Sequence, residues 1–87
     1  MTEEEFVEIM DDGCIEVTIG KTRNACQGLD IIRKYCPNKG IEGAGPGVIY
    51  SVSVSEIVAA GITNEDAAKL RGLNWVRSLG ECLAYFV

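Results

Sequence analysis

The chain has 87 residues, of which 13 are acidic and eight are basic, so its formal net charge is −5. Apolar residues make up 47 % and charged residues 24 %, which is typical of a folded globular domain and not of a disordered chain. The absence of histidine excludes Ser-His and Cys-His catalysis and removes the commonest metal ligand. We expect one domain over residues 1–87.

Charge and hydropathy argue against two further classes of function. A net negative chain is poorly suited to direct nucleic-acid binding, which depends on Lys and Arg contacts to phosphates. The longest apolar runs are about six residues, whereas a membrane-spanning helix needs roughly 20. The first residues are acidic where a secretory signal is basic. We therefore expect a cytoplasmic protein that contacts neither nucleic acid nor membrane directly.

The first two predicted elements are a helix over residues 3–12 and a strand over residues 14–19. Thr2 and Glu5 match the T-x-x-E capping box that starts a helix. Apolar residues then recur at helical spacing: Phe6, Ile9 and Met10. From residue 15, apolar and polar residues alternate, which is the period of a strand with one buried face.

A second helix is predicted over residues 22–36, because Pro37 prevents its continuation. Its expected buried face comprises Ala25, Cys26, Leu29, Ile32 and Cys36. The following segment, Gly40–Gly47, contains four glycines and a proline, which predicts a loop. A strand is expected over residues 48–54, with its apolar face formed by Val48, Tyr50, Val52 and Val54.

Two short helices are predicted over residues 55–60 and 64–72, and a β-hairpin over residues 75–87. The capping boxes Ser53–Glu56 and Thr63–Asp66 mark the helix starts, and Gly61 suits the end of the first one. The predicted order α-β-α-β-α-α-β-β indicates an α+β domain. Its sheet is expected to have about four strands, antiparallel or mixed, covered by three to four helices. We expect Trp75, the only tryptophan, at the edge of the core.

The four cysteines predict neither a metal site nor a cofactor. Cys14, Cys26, Cys36 and Cys82 form no C-x-x-C pair, so zinc-knuckle and thioredoxin spacings are absent. We expect them to be reduced and mostly buried, as small apolar residues; the alternatives are a metal site that uses all four thiolates or one structural disulfide.

The acidic residues are concentrated in residues 1–16, which hold seven acids and no base, whereas the other 71 residues hold eight bases and six acids. Glu4 and Glu8, and Glu8 and Asp12, are like-charged pairs at helical i,i+4 spacing, and each costs about 0.2–0.5 kcal/mol. Asp11 and Asp12 lie at the negative end of the predicted helix. Residues whose charge destabilises the helix in which they lie often have a functional role.

Three accounts of these acids remain open: a solvated face, internal pairing with a basic stretch, or an external basic partner. The basic stretch comprises Lys21, Arg23, Arg33, Lys34 and Lys39. On the third account the candidate partner-binding residues are Glu4, Glu5, Glu8, Asp11 and Asp12. The leading hypothesis is a non-enzymatic protein-binding module, in its sharpest form an inhibitor that offers an acidic helix to a nucleic-acid-binding protein. Phage antagonists of host defence resemble it in size and charge alone.

Two alternative functions follow from other features. The apolar C-terminal strand and the high apolar fraction of so short a chain favour a homodimeric structural or regulatory module. The glycine-rich segment favours a small-ligand binder that uses Gly43, Gly45 and Gly47, because glycine lets the backbone approach a ligand closely. An enzymatic version of that hypothesis needs a carboxylate pair, with these candidates: Glu42, Glu56 and Glu81.

Overall fold

The computed structural model describes residues 1–11, 21–78 and 81–86, so the strand predicted over residues 14–19 lies outside the described part. The described residues form four helices and four strands: α1 (Glu3–Met10), α2 (Lys21–Tyr35), β1 (Gly43–Gly45), β2 (Val48–Ser53), α3 (Val54–Ala59), α4 (Asn64–Gly72), β3 (Val76–Arg77) and β4 (Cys82–Phe86). The strands make one antiparallel sheet in the order β1-β2-β4-β3. The predicted α+β fold is confirmed, and no described helix has the length and apolarity to cross a bilayer.

Side-chain caps fix the starts of the helices where the sequence predicts them. At α1 the Glu5 amide donates to Thr2 Oγ1 at 3.1 Å and the Thr2 amide donates to Glu5 Oε1 at 2.9 Å. Ser53 and Glu56 make the same reciprocal pair at α3. Helix α1 ends at Met10, two residues earlier than predicted, and its Asp11 cap donates its amide to the Val7 carbonyl at 2.9 Å.

The glycine-rich segment is not wholly the predicted loop, because Gly43–Gly45 forms strand β1. Gly45 lies opposite Val48, and Pro46-Gly47 makes the two-residue turn between β1 and β2. Gly47 has φ +72°, which glycine adopts without steric cost. The strand is possible because β1 is at the sheet edge, where few ladder hydrogen bonds are needed and glycine is tolerated.

The uniform alternation predicted for residues 48–54 is also wrong, because β2 contains a bulge. Tyr50 lies opposite Ala84 and Ser53 opposite Cys82, so three steps on β2 match two on β4. The extra residue shifts Val52 into the buried core, away from the face that carries Tyr50. Val54 is the first residue of α3 and not the last of the strand.

The buried face of α2 differs from the predicted one. Ala25, Gly28 and Ile32 are buried, whereas Cys26 is exposed and Cys36 is half-buried. The expectation of mostly buried cysteines is therefore wrong for the described residues, since Cys82 is half-buried as well. Gly28 belongs to the buried face, and an indole ring fills the space that a side chain at this position would occupy.

That indole belongs to Trp75, which is fully buried between α2 and the sheet. Its Nε1 donates to the Asn24 carbonyl at 3.3 Å, and its ring lies 5.6 Å from the Tyr85 ring, centroid to centroid. Trp75 was predicted at the edge of the core, whereas its full burial makes it a central core residue. The remaining core comes from all four helices and from β2 and β4, with these largest side chains: Phe6, Met10, Ile32, Ile57, Ile62, Leu70 and Leu83.

Candidate functional site

The outer surface of α1 is a rigid acidic face. Phe6 and Met10 are buried in the core, so they hold the opposite side of the helix against the domain. Glu3, Glu4 and Glu8 are exposed, and none of their carboxylates has an ion pair or hydrogen bond within the described residues. Glu3 precedes Phe6 by three residues and Met10 by seven, so it lies on the same side of the helix as they do. We therefore call Glu4 and Glu8, on the opposite side, the acidic face; both are predicted site residues.

The other predicted partner-binding residues have different environments. Glu5 is exposed but is engaged in the Thr2 cap, and the hydrogen bond from the Thr2 amide lowers the pKa of its carboxyl. Asp11 accepts from Arg77 Nη2 at 2.8 Å, which ties the end of α1 to strand β3. Asp12 lies outside the described residues. The ion pair explains the presence of Asp11 at the negative helix end, and the helix dipole explains Glu4 in the first turn, which leaves Glu8 unexplained.

Two cations of the basic stretch, Lys34 and Lys39, pair with acids outside residues 1–16. Lys34 Nζ lies 3.0 Å from Asp66 Oδ2 on α4. Lys39 Nζ lies 3.5 Å from Glu42 Oε1 and 3.6 Å from Glu56 Oε2. Within the described side chains of this stretch, no cation reaches the acidic face. Among the residues that the structure describes, the carboxylates of that face therefore have no internal cation as a partner.

Two of the three carboxylates considered for an enzyme are brought together around Lys39. Glu42 and Glu56 share its ammonium, which raises the pKa of Lys39. The pKa of Glu56 is lowered, chiefly by the hydrogen bond from the Ser53 amide. The carbonyl of Glu81 accepts from the Val54 amide at 2.9 Å, so the third residue is near the same helix start. The environment of Glu56 therefore favours its ionised form, which does not suit a general acid.

The three glycines of the ligand hypothesis belong to the β1–β2 hairpin. Gly43 lies beside the ring of Tyr50, and a Cβ on Gly45 would lie 3.4 Å from Val48 Cγ1. Gly47 occupies the turn. The backbone of β1 thus pairs with β2 on one side of this edge strand, and Gly43, Gly45 and Gly47 stay a prediction for ligand binding.

The sheet carries an apolar surface on the side away from the core, which we call the outer sheet face: Val48, Tyr50, Ala84 and Phe86. These residues share one side because Val48 lies opposite Phe86 and Tyr50 lies opposite Ala84. Val48 and Ala84 are buried but lie outside the main core cluster, whereas Tyr50 is 36 % exposed and Phe86 is 62 % exposed. In the sequence, the apolar C-terminal strand was the one feature that indicated this apolar surface.

A polar cluster at the junction of α2 and α4 was missed by sequence reasoning. Asp66, with 6 % exposure, accepts from the Tyr35 hydroxyl and from Lys34. Its own amide donates to Thr63 Oγ1 at 3.1 Å, while the Thr63 amide donates to the Tyr35 hydroxyl at 3.4 Å. The Thr63–Asp66 capping signal locates the helix start, but it cannot show that a tyrosine 28 residues away completes the cap. This cluster joins two helices and has a structural role.

Metal binding and resemblance to known proteins provide no further assignment. Among the described residues, no group of three or more Cys, Asp or Glu side chains could hold a metal ion. Comparison of the chain with protein-family models, with curated proteins and with solved structures gave no significant match. The functional conclusion therefore depends on the surfaces described above.

Proposed function

We propose that the protein is a non-enzymatic binding module whose acidic face contacts a basic surface of another protein. The observation that carries this proposal is the contrast within α1: Asp11 has an internal cation, whereas Glu3, Glu4 and Glu8 have none within the described residues. Glu3 and Glu4 lie in the first turn, where carboxylates stabilise a helix, so Glu8, at i,i+4 spacing from Glu4, is the described acid that helix stability does not explain.

The anchoring of α1 supports the proposal because a preorganised surface loses little entropy on binding. One side of the helix is held by the buried Phe6 and Met10 side chains. Its first turn is closed by the Thr2–Glu5 cap, and its end is held by the Asp11–Arg77 ion pair. The acidic face is thus presented in a fixed geometry.

The chemistry of the face specifies the kind of partner. Carboxylates spaced along a rigid helix resemble the phosphates of a nucleic acid in charge, and a groove lined with Lys and Arg attracts both. We therefore propose a nucleic-acid-binding protein as the partner, with inhibition by occupation of its groove as the sharpest form of the function. Electrostatic attraction of this kind accelerates association and weakens as salt rises.

The test is affinity purification of the tagged protein from its native host with mass spectrometry, using variants matched in charge. The double variant Glu4→Lys/Glu8→Lys alters the acidic face. The control Asp30→Lys/Glu65→Lys makes the same change in net charge at exposed helix positions elsewhere. We expect a basic partner to be recovered with the wild type and the control, and its affinity for the face variant to fall at least about tenfold. Equal recovery of the partner with the face variant and with the control would show that the acidic face is not the interface.

The outer sheet face supports a second candidate function, a homodimeric module. The observation that supports it is that two large apolar side chains of this face, Tyr50 and Phe86, are exposed. We expect a concentration-dependent dimer in sedimentation equilibrium, and the variant Tyr50→Ser/Phe86→Ser to shift it to monomer without unfolding. A wild-type protein that stays monomeric at the highest concentrations reached would rule this candidate out.

A further inference from the structure

A cleft of about 430 Å³ lies between α2 and the segment that follows it, residues 37–41. Leu29 and Arg33 line it from the helix, and Pro37 and Ile41 line it from the segment. Its volume falls within the range of about 300–1,000 Å³ found for small-molecule sites. The cleft is separate from the acidic face, since no residue of α1 lines it.

The wall formed by residues 37–41 is held in place by specific bonds. The Lys39 amide donates to the Cys36 carbonyl at 3.0 Å, and Ser51 Oγ donates to the Gly40 carbonyl at 2.6 Å. The Lys39 ammonium is bound by two carboxylates, as described above. These contacts preform the cleft, so a ligand would not have to order this wall on binding.

Two side chains of the cleft have features that a stable fold does not require. Ile41 is 56 % exposed and lines the cleft together with Leu29 and Pro37, so the cleft presents a group of apolar side chains to solvent. Arg33 is exposed, and its guanidinium has no ion pair or hydrogen bond within the described residues, in contrast to the compensated Lys39. Asp30 lines both this cleft and a neighbouring one, which places it on the ridge between them.

We propose that this cleft binds a small molecule that has an apolar body and one carboxylate. The apolar body would lie against Leu29, Pro37 and Ile41, and the carboxylate would bind the guanidinium of Arg33. A guanidinium matches a carboxylate with two parallel hydrogen bonds, and this geometry makes Arg the preferred residue for such recognition. Burial of the apolar body would remove the exposed isoleucine surface from water.

Cys26 provides a direct reporter, because its exposed thiol lines the cleft. The experiment measures the alkylation rate of each cysteine by peptide mapping in the presence of 4-methylpentanoate or N-acetyl-leucine. The neutral amides of both compounds serve as controls. We expect the two acids to slow alkylation of Cys26 and to leave Cys36, which lies outside the cleft lining, unaffected. The amides should bind about tenfold more weakly, because they lack the charge that Arg33 recognises.

Variants of two arginines on the same helix complete the test. Arg33→Gln should abolish the difference between acid and amide, whereas Arg23→Gln, at an exposed position outside the cleft, should retain it. Protection by 4-methylpentanoate alone would support a free small acid as the ligand, and protection by N-acetyl-leucine alone would support the end of a peptide. Equal protection by acids and amides, undiminished protection in Arg33→Gln, or no protection by any of the compounds would overturn the proposal.

Discussion

Gly28→Ala is expected to destabilise the protein by about 3 kcal/mol or more, the scale of severe core overpacking. A Cβ built on Gly28 would lie 1.8 Å from Trp75 Nε1 and 2.4 Å from its Cδ1. The indole cannot simply move away, because Trp75 is fully buried, donates to the Asn24 carbonyl and packs beside the Tyr85 ring. Urea unfolding followed by far-UV circular dichroism would measure the loss.

A second glycine in a helix provides the matched control. A Cβ on Gly72, the last residue of α4, would meet nothing within 4 Å, so Gly72→Ala should stabilise the protein by about 0.5–1 kcal/mol through helix propensity. A double-mutant cycle between Gly28→Ala and Trp75→Phe would separate the clash from other effects, because the smaller ring relieves it. If Gly28→Ala proves as stable as Gly72→Ala, the packing of Trp75 on α2 described above is wrong.

Asp66→Ala is expected to lower the free energy of unfolding by about 2 kcal/mol, because it leaves the Tyr35 hydroxyl without its acceptor at the junction of α2 and α4. The exposed Lys34 contributes less, since surface ion pairs are weak. Glu65→Ala, at an exposed neighbouring position on the same helix, is the control and should change stability by less than about 0.5 kcal/mol. Equal effects of the two substitutions would contradict a structural role for the Tyr35–Asp66 bond.

The same cluster predicts an acid dependence of stability. The hydrogen bond from Tyr35, followed by that from Lys34, holds the pKa of Asp66 below its ordinary value of 3.8. A carboxyl with a lowered folded-state pKa contributes its stabilisation above the unfolded value, and that contribution is lost as the pH falls through the folded pKa. The stability difference between wild type and Asp66→Asn should therefore be constant above about pH 5 and should shrink below pH 3.8. A difference that grows on acidification would contradict this assignment.

Local signals in the sequence were sufficient to predict most element boundaries. The caps at Thr2, Ser53 and Thr63 all start helices, and Gly61, with φ +91°, ends α3 as expected. Such signals depend on residues that are near each other in the chain, so they need no knowledge of tertiary packing.

The features that were missed depend on distant contacts or on a residue without a side chain. Gly28 has no hydropathy signal, so its burial against Trp75 is invisible to a periodicity argument. The bulge in β2 adds one residue that strict alternation cannot detect.

The ion pairs of the acidic residues could not be predicted from the sequence either, because the partners are far apart in the chain. Asp11 pairs with Arg77, 66 residues away, so the candidate site could be predicted only as a group of acids. The structure was needed to separate Asp11, which is paired, from Glu4 and Glu8, which are not paired within the described residues.

The most direct test of the acidic face as a binding surface compares stability and binding in Glu8→Lys. This substitution removes the repulsion from Glu4, creates an attractive i,i+4 pair and places a cation in the last turn of α1, which should stabilise the protein by about 0.5–1 kcal/mol. Titration of the purified partner at low salt should show binding weakened several-fold or more, whereas Glu65→Lys should bind like the wild type. A Glu8→Lys protein that is more stable and binds its partner as tightly as the wild type would contradict the account.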